Sequence, residues 1–191
     1  MHYKTDLPSL LRDSSAELKR LPSLVTAALL LALGLVLSGL GVYVTPTLRI
    51  TFAFLANAVN ALLFGPAVAM LTSGLGDILG YFLHPTGPYF PPYTLTAMLS
   101  GFLYGSFLYH RPIKLGRVIA AKASVTFLSN ILLNTLWSSL LYGKSFLALF
   151  PLRFVKNIAL LPVEIAMLFF FAKTAKKIYS ATTRNFHPQQ N

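Results

Sequence analysis

Residues 74–104 read GLGDILGYFLHPTGPYFPPYTLTAMLSGFLY. Two apolar, helix-length stretches flank a loop, His84 to Pro92, that holds four prolines and one glycine. A single acid, Asp77, lies inside the first stretch. Proline fixes φ and lowers loop entropy, and Tyr89, Phe90 and Tyr93 offer flat faces beside it. An aromatic belt at a membrane interface would explain Tyr89. It does not explain why prolines hold the ring positions so firmly. A membrane protein that keeps a polar, planar ligand just below its outer surface would use both features.

Outward from this block, the 191-residue chain is 55% hydrophobic and only 11% charged, with a mean hydropathy of +0.64. Globular domains carry about 25% charged residues, so too few polar side chains are present to cover a water-facing surface. Apolar runs recur from Leu24 almost to the C-terminus. The class is an all-α integral membrane protein. Six spans are expected, at Leu21–Leu40, Ile50–Phe64, Pro66–Leu83, Tyr93–Tyr109, Arg117–Tyr142 and Pro151–Lys173. Residues 1–20 read as a polar leader with room for an interfacial helix, 21–180 as the membrane domain and 181–191 as a tail. The leader's mixed charge is not the pattern of a cleaved secretory signal.

The net charge of +11 does not point to nucleic acid, because the charges sit at the ends of apolar runs. Lys4, Arg12, Lys19 and Arg20 lie in the leader, Arg111, Lys114 and Arg117 in the fourth connection, and Lys173, Lys176, Lys177 and Arg184 in the tail. The second connection, Gly65-Pro66, is neutral. With six spans all of these fall on one side, which the positive-inside rule assigns to the cytoplasm. Both termini are then inside.

Each ionisable group within a span costs several kcal/mol, about 2.5–3.5 at the centre, and needs a reason. Arg153, Lys156, Asn157, Leu160 and Glu164 share one face of the sixth span. Snorkelling and ligand contact both fit Arg153; Lys156 and Asn157, a turn deeper, read as ligand contacts, and Glu164 as a partner for another helix. Asp77 fits a structural pairing with Lys156 or contact with a ligand. Asn57 and Asn60 in the second span, and Thr126, Asn130, Asn134 and Trp137 along the fifth, read mainly as helix–helix contacts. Lys122, near the cytoplasmic end, reads as snorkelling, and Pro162 as a kink. The first span carries Ala28 and Ala32 four apart, a small-residue face on which another helix can pack closely.

Motifs of common enzymes are missing: no GxxxxGK[ST], no HExxH, no GxSxG and no cysteine. The four histidines are scattered through tails and loops, so no metal site, cofactor or catalytic residue is expected.

The block Arg49–Asn60 (RITFAFLANAVN), followed by Leu63-Phe64-Gly65-Pro66, Gly76-Asp77-Ile78-Leu79-Gly80, Pro85–Pro91 (PTGPYFP), Thr94–Ala97 and Gly101–Gly105 (GFLYG), resembles the substrate-binding (S) components of energy-coupling factor (ECF) vitamin transporters, in their folate-specific branch. The resemblance is close over about residues 49–109. It implies a six-helix bundle in a bacterial cell membrane with both termini inside. It also implies a vitamin site in the outer half, and a complex with a transmembrane coupling protein (the T component) and two ATPases. It puts Ala28 and Ala32 against the coupling protein. Folate suits the residues: its flat pterin has adjacent donors for a carboxylate, and its glutamate tail is dianionic. The candidate ligand contacts are Arg49, Asn57, Asp77, Phe90, Tyr93, Thr94, Arg153, Lys156 and Asn157. Asp77 or an amide would read the pterin, Phe90 and Tyr93 would stack, and Arg49, Arg153 or Lys156 would meet the tail. Another flat vitamin such as riboflavin, an autonomous secondary transporter, and an assembly protein that binds no small molecule remain as alternatives.

Overall fold

The computed structural model describes residues 6–186 except 41, 46, 47, 51 and 84–87; for 42–50 and 182–186 only the backbone is described. A short helix α1 (Leu7–Glu17) precedes α2 (Leu21–Gly39). Both start with a proline in the first turn, Pro8 and Pro22, where the missing N–H costs nothing. A two-stranded antiparallel hairpin follows, β1 (Val42–Thr45) and β2 (Leu48–Ile50), with Val42 opposite Ile50. Ile50, expected to begin the second span, therefore ends β2, and the helix starts at Ala53. Then come α3 (Ala53–Leu83), α4 (Pro91–Leu108), α5 (Leu115–Tyr142) and α6 (Phe146–Phe186).

The helix α3 is two spans, not one. Gly65 has φ +85° and ψ −175°, outside helical space, and Pro66 restarts the helix. In a straight helix Asn60 and Thr72 would stand about 18 Å apart at 1.5 Å per residue. Asn60 Nδ2 instead donates to Thr72 Oγ1 at 3.0 Å. The arms 53–64 and 66–83 therefore run antiparallel, and the bundle has the six spans expected. Four helices, α2, α3, α5 and α6, are long and apolar enough to cross a membrane. The helix α4 is less apolar, because it starts with two prolines and turns Thr94, Thr96 and Tyr104 into the interior.

The turn at Gly65 is pinned from outside. Ser14 of α1, fully buried, donates to the Phe64 carbonyl at 2.7 Å and accepts from the Ala67 and Val68 N–H groups at 2.9 and 3.2 Å. One hydroxyl thus satisfies backbone groups that the broken helix orphans. A Cβ on Gly65 would lie 2.7 Å from Ser14 and 2.8 Å from Tyr109. The second arm of α3 lies flat on α4: a Cβ on Gly101 would come within 2.3 Å of the Ala69 carbonyl oxygen, and one on Gly105 within 2.4 Å of Pro66 Cα. Small residues allow this approach, as in other membrane helix pairs. The main core joins Leu55, Ala58 and Leu62 of the first arm to Tyr104, Leu108, Val118, Val125 and Leu168.

The basic segments meet at one end. Asp13 of α1 faces His110 at 3.9 Å, Lys176 Nζ donates to the Arg111 carbonyl at 3.1 Å, and Phe64 packs edge-on against Tyr179 at 5.9 Å. The leader, the fourth connection and the end of α6 therefore share the face that the charge pattern assigns to the cytoplasm. Along the flanks α2 and α6 expose Leu24, Leu29, Leu33, Val155, Val163 and Phe170 among others, an apolar surface suited to lipid or to another membrane protein.

Two expectations need correcting. Lys122 does not snorkel; it is 1% exposed, and its Nζ lies 3.0 Å from Glu164 Oε2 and 4.0 Å from the Phe54 ring centroid. The low-dielectric interior rewards that pairing more than a strained reach for water. The proline loop is shorter than His84–Pro92, because Pro91 and Pro92 form the first turn of α4. The helix α6 holds Pro151 and Pro162 within its length.

Candidate functional site

At the end opposite the basic face, α2, α3, α4, α5 and α6 surround a cavity of about 750 Å³. That size is typical of a site for an organic ligand, roughly 300–1,000 Å³. The loop before α4 contributes Pro88, Tyr89 and Phe90, and the start of α6 contributes Arg153. The sequence places these groups together because Pro91 and Pro92 start α4 where the loop ends, so Phe90 and Tyr93 stand one turn apart at the mouth. Their ring centroids are 5.9 Å apart at 70°.

The aromatic wall is braced. Phe90 packs edge-on against Trp137 at 6.3 Å, and Trp137 Nε1 donates to Thr96 Oγ1 at 2.9 Å. On the other side Tyr81 and Tyr89 lie 5.2 Å apart. Asp77 lines the cavity from the second arm of α3. Thr94 donates its hydroxyl to Asp77 Oδ2 at 2.7 Å, so the Tyr89 hydroxyl, 2.8 Å from Thr94 Oγ1, must donate to Thr94. The chain of donors fixes the carboxylate and leaves lone pairs facing the cavity.

Arg153 is aimed by a second cluster. Its guanidinium donates to Ser138 Oγ at 2.7 Å, and the Tyr93 hydroxyl lies 2.8 Å from the same oxygen. Ser138 is buried. No carboxylate pairs with Arg153 among the described residues, so its positive charge is open to an anion. The site therefore offers one carboxylate, one guanidinium and a set of flat rings between them.

Of the candidates, Asn57, Asp77, Phe90, Tyr93 and Arg153 line this cavity. Thr94 stands behind Asp77. Lys156 and Asn157 are not among its lining residues; Asn157 Nδ2 donates to the Arg153 carbonyl at 2.8 Å. Arg49 lies in β2, and its side chain is outside the described residues, as is the loop 84–87. Ala28 and Ala32 are exposed on α2, whose buried residues are Ser23, Ala27 and Gly34. Ser138 and Ser73 were not anticipated. The signal for Ser138 was available: it follows Asn130 and Asn134 at the same four-residue step. A smaller inner cavity of about 300 Å³ shares Asn57, Asp77, Tyr93 and Ala97 with the outer one. No group of three metal-ligating side chains occurs among the described residues.

The model of the family described as "ECF transporter, substrate-specific component" matches residues 22–176. The chain is 32% identical over 152 residues to a protein named Folate transporter FolT from Clostridium novyi, covering 80% of this chain and 88% of that one. It is 33% identical over 168 residues to another of that name from Leuconostoc mesenteroides, covering 82% and 90%. A crystal structure of FolT bound with folic acid superposes with a TM-score of 0.73 at 33% identity, over 81% of this chain and 94% of that one.

Proposed function

The chain belongs to the substrate-specific components of ECF transporters, and we propose that it is the folate-binding subunit of a bacterial vitamin importer. The observation that carries this is the pairing of a guanidinium open to an anion, Arg153, with a fixed carboxylate, Asp77, across one aromatic-walled cavity. Folate has a matching distribution: a flat ring with adjacent N–H donors at one end and two carboxylates at the other. The carboxylate accepts from the ring edge, Phe90 and Tyr93 cover flat surface, and Arg153 neutralises a tail carboxylate. Asn57 adds an amide to the ring side. Relatives named for folate support the choice over riboflavin, which has no dianionic tail for Arg153.

The chain has no phosphate-binding loop of its own, so energy for uptake comes from partners: a transmembrane coupling protein and two ATPases. The exposed Ala28–Ala32 face of α2 is the docking surface for the coupling protein. The chain sits in the cell membrane with both termini in the cytoplasm and the cavity open to the outside. The test is equilibrium binding of radiolabelled folic acid and riboflavin to the purified chain. Saturable binding of folic acid alone is expected; equal binding of riboflavin, or no binding of either, refutes the assignment. Uptake into proteoliposomes should require ATP and the partner subunits.

A further inference from the structure

Six cations gather where the connection between α4 and α5 meets the end of α6: Arg111, Lys114 and Arg117 from the connection and the first turn of α5, Lys173, Lys176 and Lys177 from α6. Two contacts hold the groups together. Lys176 Nζ donates to the Arg111 carbonyl at 3.1 Å. Deeper in the bundle, Val118 and Ala121 of α5 share one buried cluster with Leu168 and Ala172 of α6. The seam between α5 and α6 therefore ends in a basic rim.

The positive-inside rule explains the sign of these charges and the side on which they lie. It does not explain their crowding, because like charges repel and charges spread over separate loops would satisfy the rule equally well. The chain supplies almost nothing to balance them. Of its five acids, Glu164 pairs with Lys122, Glu17 with Arg20, and Asp13 faces His110. Asp77 lines the outer cavity at the opposite end. That leaves Asp6, before α1. No acid lies between Asp77 and Glu164, and none follows Glu164. Among the described residues, none of Lys114, Arg117, Lys173, Lys176 and Lys177 makes an ion pair with a carboxylate. Arg117 Nη1 turns to a neutral acceptor, the Pro112 carbonyl at 3.3 Å.

The surroundings say what kind of anion fits. Lys114, Lys173, Lys176 and Lys177 are exposed. Apolar side chains stay exposed beside them, Leu115 and Ile119 on α5 and Phe170 on α6. Lys173 Nζ lies 4.2 Å from the Phe169 ring centroid, so its charge sits at the edge of apolar surface. A free anion would use the charges alone. An anion joined to hydrocarbon chains uses the charges and the apolar flank together, and the membrane delivers it at this depth.

We propose that the cytoplasmic end of the α5–α6 seam is a binding site for an anionic phospholipid. Lys114 and Arg117 on one side, and Lys173, Lys176 and Lys177 on the other, hold headgroup phosphates, and acyl chains lie over Leu115, Ile119 and Phe170. Cations on two segments suit a lipid with two phosphates best, so diphosphatidylglycerol should bind more tightly than phosphatidylglycerol. The site is separate from both cavities and does not depend on which vitamin they take.

The test uses the full chain purified in a neutral detergent, with native mass spectrometry to read retained lipid and thermal midpoints to read stabilisation. Diphosphatidylglycerol should stay bound and raise the midpoint most, phosphatidylglycerol less, and phosphatidylcholine not at all. Each charge removed should weaken the lipid about fivefold. Lys173→Gln with Lys176→Gln and Lys177→Gln should therefore weaken it by about a hundredfold, and Lys114→Gln with Arg117→Gln, on the other segment, by about 25-fold. Lys144→Gln, at the opposite end of α6, should change nothing. Midpoints without lipid show that each variant folds, and raising salt should loosen the lipid from the wild type without any substitution. Retention of phosphatidylcholine as firmly as diphosphatidylglycerol, or of diphosphatidylglycerol by both sets of variants, overturns the proposal. So does displacement of the lipid by inorganic pyrophosphate, which would make the rim a site for soluble anions. Variants that keep the lipid but lose copurification with a coupling protein overturn it too, and assign the cations to a protein contact.

Discussion

Replacing Asp77 by asparagine is the most direct test of the outer site. The two side chains are isosteric, and the amide oxygen of the variant could still accept the Thr94 hydroxyl at the present 2.7 Å, so the fold should survive. The ligand-facing half changes: an acceptor with full charge becomes a neutral amide that turns N–H donors toward the ring's own donors. A hydrogen bond to a charged group contributes about 1.5–3 kcal/mol, which is about 10- to 150-fold in Kd. Thr94→Val keeps the charge and removes only the donor that aims it, so a smaller loss of about 2- to 10-fold is expected. The assay is built into the chain. Trp137 is its single tryptophan and packs against Phe90, so its fluorescence should follow folic acid binding directly. A Kd for Asp77→Asn within twofold of wild type would refute the role of Asp77 in reading the ligand.

Gly105→Ala should lower the thermal midpoint sharply or prevent extraction of a monodisperse protein, because the new methyl would meet the Pro66 backbone, which cannot turn aside. Lys122→Met alone should destabilise by about 3–5 kcal/mol by stranding Glu164, whereas Lys122→Met with Glu164→Leu should recover most of that loss; denaturation in detergent would show whether the double variant is the more stable. Ala28→Leu with Ala32→Leu should leave folic acid affinity unchanged and abolish copurification with a coupling protein, since both alanines face outward.

The spans were legible because hydropathy and charge are one-dimensional signals. Counting Lys and Arg put the leader, the fourth connection and the tail on one side, and the contacts of Asp13 with His110 and of Lys176 with Arg111 bring them together. Asp77, Phe90 and Arg153 could be picked out because each breaks a local rule: an acid in an apolar helix, a ring among prolines, a cation inside a span. What stayed hidden depended on pairing between helices. Lys122 looked like a snorkelling cation because nothing local in the sequence places Glu164, more than forty residues on, level with it. Ser138 shares the four-residue step of Asn130 and Asn134, but its worth lies in Tyr93 and Arg153, which converge on it from two other helices. Lys156 shares the spacing of Arg153, yet a helix rotates about 60° between positions three apart, enough for one to enter the cavity and the other to miss it.

The length of α6 has a consequence of its own. Its 41 residues span about 62 Å at 1.5 Å per residue, roughly twice the hydrocarbon core. Lys144, just before it, and Lys173 within it are both exposed and bracket the apolar stretch. The interval between them is about 43 Å, close to the 40–45 Å of a bilayer with its headgroups. Lowering the molecule by two turns would push Lys144 into hydrocarbon, and raising it would draw in Lys173 and then Lys176, at about 2.5–3.5 kcal/mol for each charge that reaches the centre. One helix therefore acts as a depth gauge. In a thinner membrane the bundle must lean rather than slide, and the mouth of the cavity leans with it.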